Sequence, residues 1–548
     1  MISLTPGDSS REYLLRTDAQ KGAHVIFDLM GEPWLPVERQ DGTSGYVGLK
    51  TLLLDARGFR RLAAETPTMT AALYRLVLAL AHRIYGPGDA KAWRELWEKG
   101  FTAEPLMTYL DRYGTRFDLF DAERPFLQCP PLAVCPSSTI TKLVLNRSTG
   151  NNVTLFDHTT STDQVTLDPG QAARWLVTVH AYDPGGTKTP FRTIKSSKRG
   201  LANYFGVVIV EGGTLHETLM LNMPIYKPNH EKPRATSIQD RPAWESNAFP
   251  NPEPDRRPSL GWTDLLTWPA RRILLLPQHS ASGTVVDRVV ITPGSELYGE
   301  LADIELMSAF RRPPPKTKRS KWEDFRPLRL DERRGVWRHT ETLLLAGDEQ
   351  LRRRPEALEH LAELVEGKLI DEATVYTLRV FGQRLGSQAA VVASWTEDAV
   401  AAPVALLRAQ HASVGPIIGH AVDLADQVAG ALREMESAYA AAMKTDRDGT
   451  IDLPFWTRLP ELFDRFLRAL SEARVNQQSE APVIRIWADD VSKLATSTAD
   501  RWAYGSPRTG RHLSEAGRAF GRFTGTLSHV TKVFTAKAIG FSTEEALT

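Results

Sequence analysis

The chain has 548 residues, with 67 Lys and Arg against 66 Asp and Glu, and 42% of it is hydrophobic. That length exceeds one ordinary core, so two or more domains are expected, and a net charge of +1 leaves any affinity for nucleic acid to local basic patches. The two cysteines, Cys129 and Cys135, make neither a disulfide framework nor a four-thiolate zinc site; with no signal-peptide pattern and no apolar run of membrane-spanning length, the expected compartment is the cytoplasm.

Residues 1–22 are polar without periodicity and read as a loose arm. Val25, Phe27 and Leu29 alternate as in a strand, 31–33 turn the chain, and a second short strand is expected around Trp34, Leu35 and Val37. Helical spacing is expected over 55–64 and again over 67–85. In the second run Thr66 is placed to cap, Pro67 fits the first helical position, Met69, Leu73, Leu76 and Leu80 share a face, and Gly86-Pro87-Gly88 stops it. A further helix is expected over 90–99. In FDLFDAERPFLQ, Phe117, Leu119 and Phe120 precede an acidic turn, as in an apolar segment docking into a core.

The stretch 149–186 reads as a loop, a helix and a glycine turn. Asp168 is placed to accept from the first-turn amides and Pro169 fits the first helical position, while Trp175, Val179 and Tyr182 form one buried face. Pro184, Gly185 and Gly186 cannot continue the helix. Two loops are thereby held at opposite ends of a short rod, one with Phe156, Asp157 and His158, the other with bare backbone, a layout suited to reading a surface.

Downstream, 196–200 is a small basic loop, 205–210 a strand, and LHETLMLNMP an apolar element. Pro, Asn, Asp and Glu dominate 227–259, which reads as a long flexible loop or insertion. Apolar structure resumes over 265–276, and a strand is expected over 285–291. The run 311–334 holds ten basic residues against four acidic ones, and its prolines forbid a regular helix, so an exposed basic flap is expected. A strand over 374–381 leads into GQRLGSQAAVVASW, whose glycines flank a polar tip between apolar runs as in a hairpin. After 401 the pattern is helical. Val422, Ala425, Ala429, Leu432 and Met435 share one face, as do Leu459, Leu462, Phe466 and Leu470, and further helices are expected over 484–501 and 512–536. The expected fold class is α+β: a mixed domain over 23–397, then an all-α four-helix bundle over 398–548.

Several chemistries lack their sequence supports. No GxxxxGK[ST], HExxH, GxSxG or CxxC pattern occurs. Asp157, His158 and Asp163 are close enough to imagine a metal site, but three loop residues without a fourth ligand fit polar contact better. Asp489 and Asp490 sit on an amphipathic run, where a solvated helix face explains them. The open alternatives on residues alone are a metal-dependent nuclease or hydrolase using those three loop residues, and a structural protein whose bundle binds partner helices.

WLPV near the start, AERPFLQ about a hundred residues later, and then the loop TGNNVTLFDH with its central Phe together resemble the CasA family, the large subunit of the type I-E CRISPR surveillance complex Cascade. The order of elements agrees along nearly the whole chain. The resemblance implies a non-catalytic subunit, without cofactor or metal, that reads the protospacer-adjacent motif (PAM) in double-stranded target DNA from the minor-groove side and helps open the duplex for pairing with the guide crRNA (R-loop formation). The implied partners are that DNA, the crRNA, the other Cascade subunits and the helicase-nuclease, with no membrane.

Residue by residue, the resemblance gives motif or guide contacts to Asn152, Phe156, Asp157 and His158, with Phe156 equally readable as a core anchor for the loop. It gives the glycine loop to Pro184, Gly185 and Gly186, where backbone can approach the degenerate minor-groove edge and recognition is permissive. The wedge that splits the first base pair falls on Ser387, Gln388 and Ala389, with Gln388 at its tip. The family's motif-contacting lysine aligns near 301–303, where this chain has none, and the flap with Lys316, Lys318 and Arg319 is the expected substitute. Arg511, Arg518 and Arg522, seven and four apart, form a stripe that suits a phosphate backbone of the displaced strand.

Overall fold

A computed structural model describes residues 25–146, 165–281, 283–313, 315, 323–328, 335–344, 351–386, 391–407, 414–505 and 509–545. The chain divides into two compact units, one of Met1–Ser308, Phe325–Asp331 and Val380–Glu397, the other of Ala309–Asp324, Glu332–Arg379 and Asp398–Thr548. The first unit mixes sheets and helices, and the second ends in a run of long helices, so the α+β class with a helical C-terminal part is the observed one.

In the first unit, β1 (Leu35–Arg39), β2 (Ser44–Val47) and β3 (Phe59–Leu62) form an antiparallel sheet in the order β2–β1–β3. Two expectations fail here. The alternation at Val25, Phe27 and Leu29 yields only an isolated bridge, Asp28 to Asp118, because Leu29 N–H and Phe27 C=O are spent on Phe117 and Leu119 and no neighbouring strand extends the ladder. Residues 55–64 are not a helix. The helix ends at Leu54, Gly58 N–H closes a turn on Asp55 C=O at 2.7 Å, and Phe59–Leu62 pairs with β1, with Arg61 donating to Glu38 at 2.7 Å.

Helix α1 (Pro67–Tyr85) begins as its sequence dictates: Thr66 accepts from Met69 N–H at 3.2 Å and Pro67 takes the first position. It is buried on almost every face, so its one interior cation must be paired. Arg75 donates to both carboxylate oxygens of Glu305 at 3.1 Å. Helix α2 (Pro169–Tyr182) packs against α1 and carries a full capping box, Asp168 accepting from Gln171 N–H at 2.9 Å and Gln171 from Asp168 N–H at 3.2 Å. Such a cap contributes about 1 kcal/mol.

The strands β4 (Gly186–Phe191) and β5 (Ile194–Ser197) then form a hairpin, β6 (Val207–Glu211) is wholly buried, and β7 (Arg271–Ser280) pairs with β8 (Gly283–Pro293) in a long antiparallel ladder, Ile273 opposite Ile291. Between β6 and β7 the polar stretch 227–259 is irregular but tied down. Glu245 accepts from Arg83 at 2.7 and 2.8 Å and from Tyr109 at 2.7 Å, while Asp240 accepts from Tyr226 at 2.8 Å. Few apolar side chains are needed where buried carboxylates supply the anchors. β9 (Val375–Leu385) and β10 (Val392–Pro403) are neighbours in the sheet ordered β10–β9–β6, joined through 386–391.

In the second unit four helices pack together: α3 (Val414–Met443), α4 (Leu453–Val475), α5 (Ala481–Gly505) and α6 (Gly510–Glu545). Leu459, Phe463, Phe466, Leu467 and Leu470 bury one face of α4, and Phe466 lies 5.3 Å from Trp487 of α5. The Trp487 indole N–H donates to Ala421 C=O of α3 at 3.2 Å, satisfying the one polar atom of a large buried ring. Among the described residues, no helix is long and apolar enough to cross a membrane.

Candidate nucleic-acid interface

Helix α2 ends where the sequence says it must. Tyr182 is its last residue, Asp183 leaves helical geometry at φ −57° and ψ 131°, and Pro184 follows. Asp183 is buried, yet it holds two cations: Arg271 Nε donates to Oδ2 at 2.5 Å and Lys188 Nζ lies 2.7 Å from the same oxygen. Burial alone would raise the Asp183 carboxyl; Arg271 and Lys188 outweigh it and hold the group below the ordinary carboxylate range. The rest of the Arg271 guanidinium is spent on backbone, donating to Pro184 C=O at 3.2 Å, Lys198 C=O at 2.7 Å and Ala270 C=O at 2.7 Å. One buried arginine of β7 thus clamps both ends of the β4–β5 hairpin.

The turn itself is graded in exposure. Pro184 is buried, Gly185 half-buried and Gly186 exposed. A Cβ at Gly185 would stand 3.2 Å from Arg199 N and Ser197 O, tighter than side chains normally pack. Gly186 has φ +110° with open space around the missing Cβ, so its backbone conformation and not crowding requires glycine. The result is bare backbone facing outward on a closely packed base.

A second element reaches the same place. Gln383 of β9 donates from Nε2 to Tyr182 C=O at 3.0 Å and to Asn203 Oδ1 at 2.8 Å, while its Oε1 accepts from the Trp395 indole at 2.8 Å. Asn203 in turn donates to Asp183 C=O at 3.2 Å. The hairpin whose tip the resemblance makes a wedge is therefore tethered, a few residues below that tip, to the last carbonyl of the helix before the glycine turn. Nothing in the sequence pattern marks Gln383, Asn203 or Arg271; their partners lie far away along the chain.

Beside the turn is a cavity of about 420 Å³ lined by Lys198, Arg199, Tyr204, Arg256 and Leu301, among others. Arg199 lies 4.0 Å over the Tyr204 ring, and Arg256 5.0 Å over Tyr298. Lys198 and Arg256 both lean on Glu296, leaving Arg199 without a carboxylate partner among the described residues. The sequence has no lysine at 301–303; four cations from other segments, Lys198, Arg199, Arg256 and Arg271, line this cavity with Leu301.

The other sequence-designated residues are distributed as follows. Asn152, Phe156, Asp157, His158 and Asp163, the tip Ser387, Gln388 and Ala389, and Lys316, Lys318 and Arg319 lie outside the described residues. Arg511, Arg518 and Arg522 are all exposed on α6; Arg511 donates to Ala442 C=O at 3.2 Å and Arg518 to Glu515 at 2.8 Å. Among the described residues, no group of three His, Cys, Asp or Glu side chains is placed to hold a metal ion.

Compared with known proteins, residues 28–498 match the family model described as CRISPR-associated protein Cse1. The chain belongs to the Cse1 family. It is 29% identical over 533 residues to the CRISPR-associated protein CasA/Cse1 of Thermus thermophilus, covering 92% of this chain and 99% of that one. The crystal structure of Cse1 from Acidimicrobium ferrooxidans superposes with a TM-score of 0.78 at 27% identity, covering 94% of this chain and all 100% of the other. Cse1 of Thermobifida fusca gives 0.77 at 27% identity over 92% and 98% of the two chains. The family expected from WLPV, AERPFLQ and the TGNNVTLFDH loop is the one that matches, and Cse1 membership extends through the sheet-bearing part into the helices.

Proposed function

We propose that this Cse1 chain is the large, non-catalytic subunit of a type I-E Cascade complex, which reads the PAM of double-stranded DNA from the minor-groove side and helps open the duplex for R-loop formation. The observation that supports this best is the bond from Gln383 to Tyr182 C=O, which ties strand β9 to the end of the helix before the glycine turn. An exposed backbone turn suits a shallow, degenerate groove edge, and the wedge assigned to Ser387, Gln388 and Ala389 would act on the neighbouring base step. Lys198 and Arg199, in the cavity next to the turn, take the cationic role that the family gives to a lysine. The partners on this reading are duplex target DNA, guide crRNA, the other Cascade subunits and the helicase-nuclease. Phe156, Asp157, His158 and Asn152 would contact motif or guide.

The test compares loading of the assembled complex on a closed duplex and on a target already opened beside the motif. Gln388→Ala should lower loading on the closed duplex by about tenfold or more, the weight of one unstacked step, and spare the opened target. Equal loss on both targets would sink the wedge assignment.

A further inference from the structure

A second cavity, of about 320 Å³, lies in the first unit under the irregular segment that follows β6, and it is rich in arginine. Six guanidinium groups line it: Arg116, Arg124, Arg241, Arg257, Arg271 and Arg272. Only two acidic residues, Asp255 and Asp264, line it with them. Both are already used. Asp264 takes Arg257 at 2.7 and 2.9 Å, and Asp255 takes Arg272 at 3.1 Å. Arg271 is committed to Asp183.

The remaining three have no carboxylate partner among the described residues. Arg124 spends its guanidinium on the carbonyls of Ser246, Asn247 and Ala248, at 3.2, 2.8 and 3.3 Å, so its charge is oriented but not neutralised. Arg116 is half-buried next to it and Arg241 is exposed. The nearest acidic group to act on Arg116, Asp121, is turned onto the backbone amides of Glu123 and Arg124 at 2.9 and 2.6 Å. Burial, together with the positive charge of Arg124, pulls Arg116 below its ordinary range, against the opposing charge of Asp121.

Part of the lining is flat and apolar. Trp244 stacks on Phe126 at 5.7 Å with an interplanar angle of 28°, and both are buried and fixed. Phe249, which lines the cavity, is 55% exposed, so its ring face is free to a ligand. A cavity whose lining holds both guanidinium groups without a carboxylate partner and an exposed ring matches a ligand with an anionic end and a planar end. We propose that this pocket binds one nucleotide, its phosphate on Arg116 and Arg241 and its base against Phe249. The volume is at the small end of ligand sites, enough for one nucleotide unit and not for a duplex. Guanidinium groups favour phosphate because their forked donors match two oxygens at once, and base-on-aromatic stacking is indifferent to base identity. Such a nucleotide is either free or an unpaired unit of a strand.

The pure full chain is titrated with adenosine 5′-monophosphate and with adenosine by calorimetry, and with a short labelled oligothymidylate by anisotropy. The phosphorylated probe should bind and adenosine should not. Arg241→Glu, at an exposed position with no partner to lose, should weaken binding by about tenfold, as should Arg116→Glu, with Phe249→Ala causing a smaller loss. Monophosphate that binds and displaces the oligonucleotide identifies a free nucleotide as the occupant. Binding of the oligonucleotide alone, still lost in Arg241→Glu, identifies a strand. Equal binding of adenosine and its monophosphate, no binding of either phosphorylated probe, or unchanged affinity in Arg241→Glu each overturns the proposal. Gln388→Ala should leave this binding unchanged, so failure here is separable from failure of the duplex reading.

Discussion

Gln383 Nε2 donates to the carbonyl of Tyr182 across 3.0 Å, joining a strand late in the chain to the end of a helix 201 residues earlier. The same amide holds Asn203 on one side and receives the Trp395 indole on the other, so both its N–H donors and its carbonyl oxygen are engaged. Strand β9 and the end of the helix before the glycine turn are consequently tied together.

Replacing Gln383 by Leu keeps the volume and removes three hydrogen bonds. The groups left behind are partly buried, so about 1–3 kcal/mol of stability should be lost. If the bond sets the relation of turn to tip, loading on closed duplex should fall further than this stability loss accounts for, while the opened target is bound nearly as before. Denaturant midpoints and binding to the two targets, measured on the same preparation, separate the effects.

The buried pair Asp183–Arg271 gives a larger and different outcome. Arg271→Met leaves Asp183 buried with Lys188 alone and frees the carbonyls of Pro184 and Lys198. Breaking one side of such a pair costs about 3–5 kcal/mol, reduced here because Lys188 remains. Asp183→Asn should be milder than Arg271→Met, since the amide still accepts from Arg271. The order of the two in chemical denaturation checks which partner carries the clamp.

The two glycines should respond for different reasons. Gly186→Ala puts a side chain at φ +110° in open space, costing about 1–2 kcal/mol of backbone strain without a clash. Gly185→Ala brings a methyl within 3.2 Å of Ser197 O at the end of the facing strand and of Arg199 N just beyond it, so the local backbone must move. Duplex loading should therefore suffer more from Gly185→Ala, even though Gly186 is the more exposed of the pair.

The local half of this site is readable from residues alone. Asp168, Pro169, Gln171 and the Pro184-Gly185-Gly186 run act on their own neighbours, and the helix begins and ends where they require. The same holds for Thr66 and Pro67 of α1 and for the spacing of α4. The other half is not local. Arg271, Asn203 and Gln383 matter through partners 20 to 201 residues away, and no periodicity reports a contact of that kind. The helix expected over 55–64 fails for a related reason: its helical spacing is overridden by pairing with β1, a tertiary choice.

Three buried histidines set an acid limit. Burial, reinforced by Arg272 and Arg271, holds His180 down to about 4 against the Leu127 carbonyl, and burial also holds His216 and His360 down to about 4. The unfolded chain takes up these protons near the usual 6.5 while the folded chain does not, so stability is full above pH 6.5 and falls as pH drops toward 4. Between pH 6.5 and 5 each contributes at most about 2 kcal/mol of loss. The denaturant midpoint should be lower at pH 5 than at pH 7, and His180→Gln should shrink that difference.

Exposed cations on α6 should affect binding without affecting folding. Arg518 pairs with Glu515 in an exposed i, i+3 bridge, a geometry that contributes no more than about 0.5 kcal/mol, and Arg522 one turn along has no ion pair among the described residues. Arg518→Glu with Arg522→Glu should therefore leave the thermal midpoint within about a degree or two of the parent. If these side chains track a displaced strand, the double variant should weaken binding of opened DNA at low salt, and the slope of log affinity against log salt should flatten by about one unit for each phosphate no longer neutralised. A parallel shift at every salt concentration would instead mean that the two arginines act through the bundle and not through phosphate, because only counterion release ties the change in affinity to ionic strength.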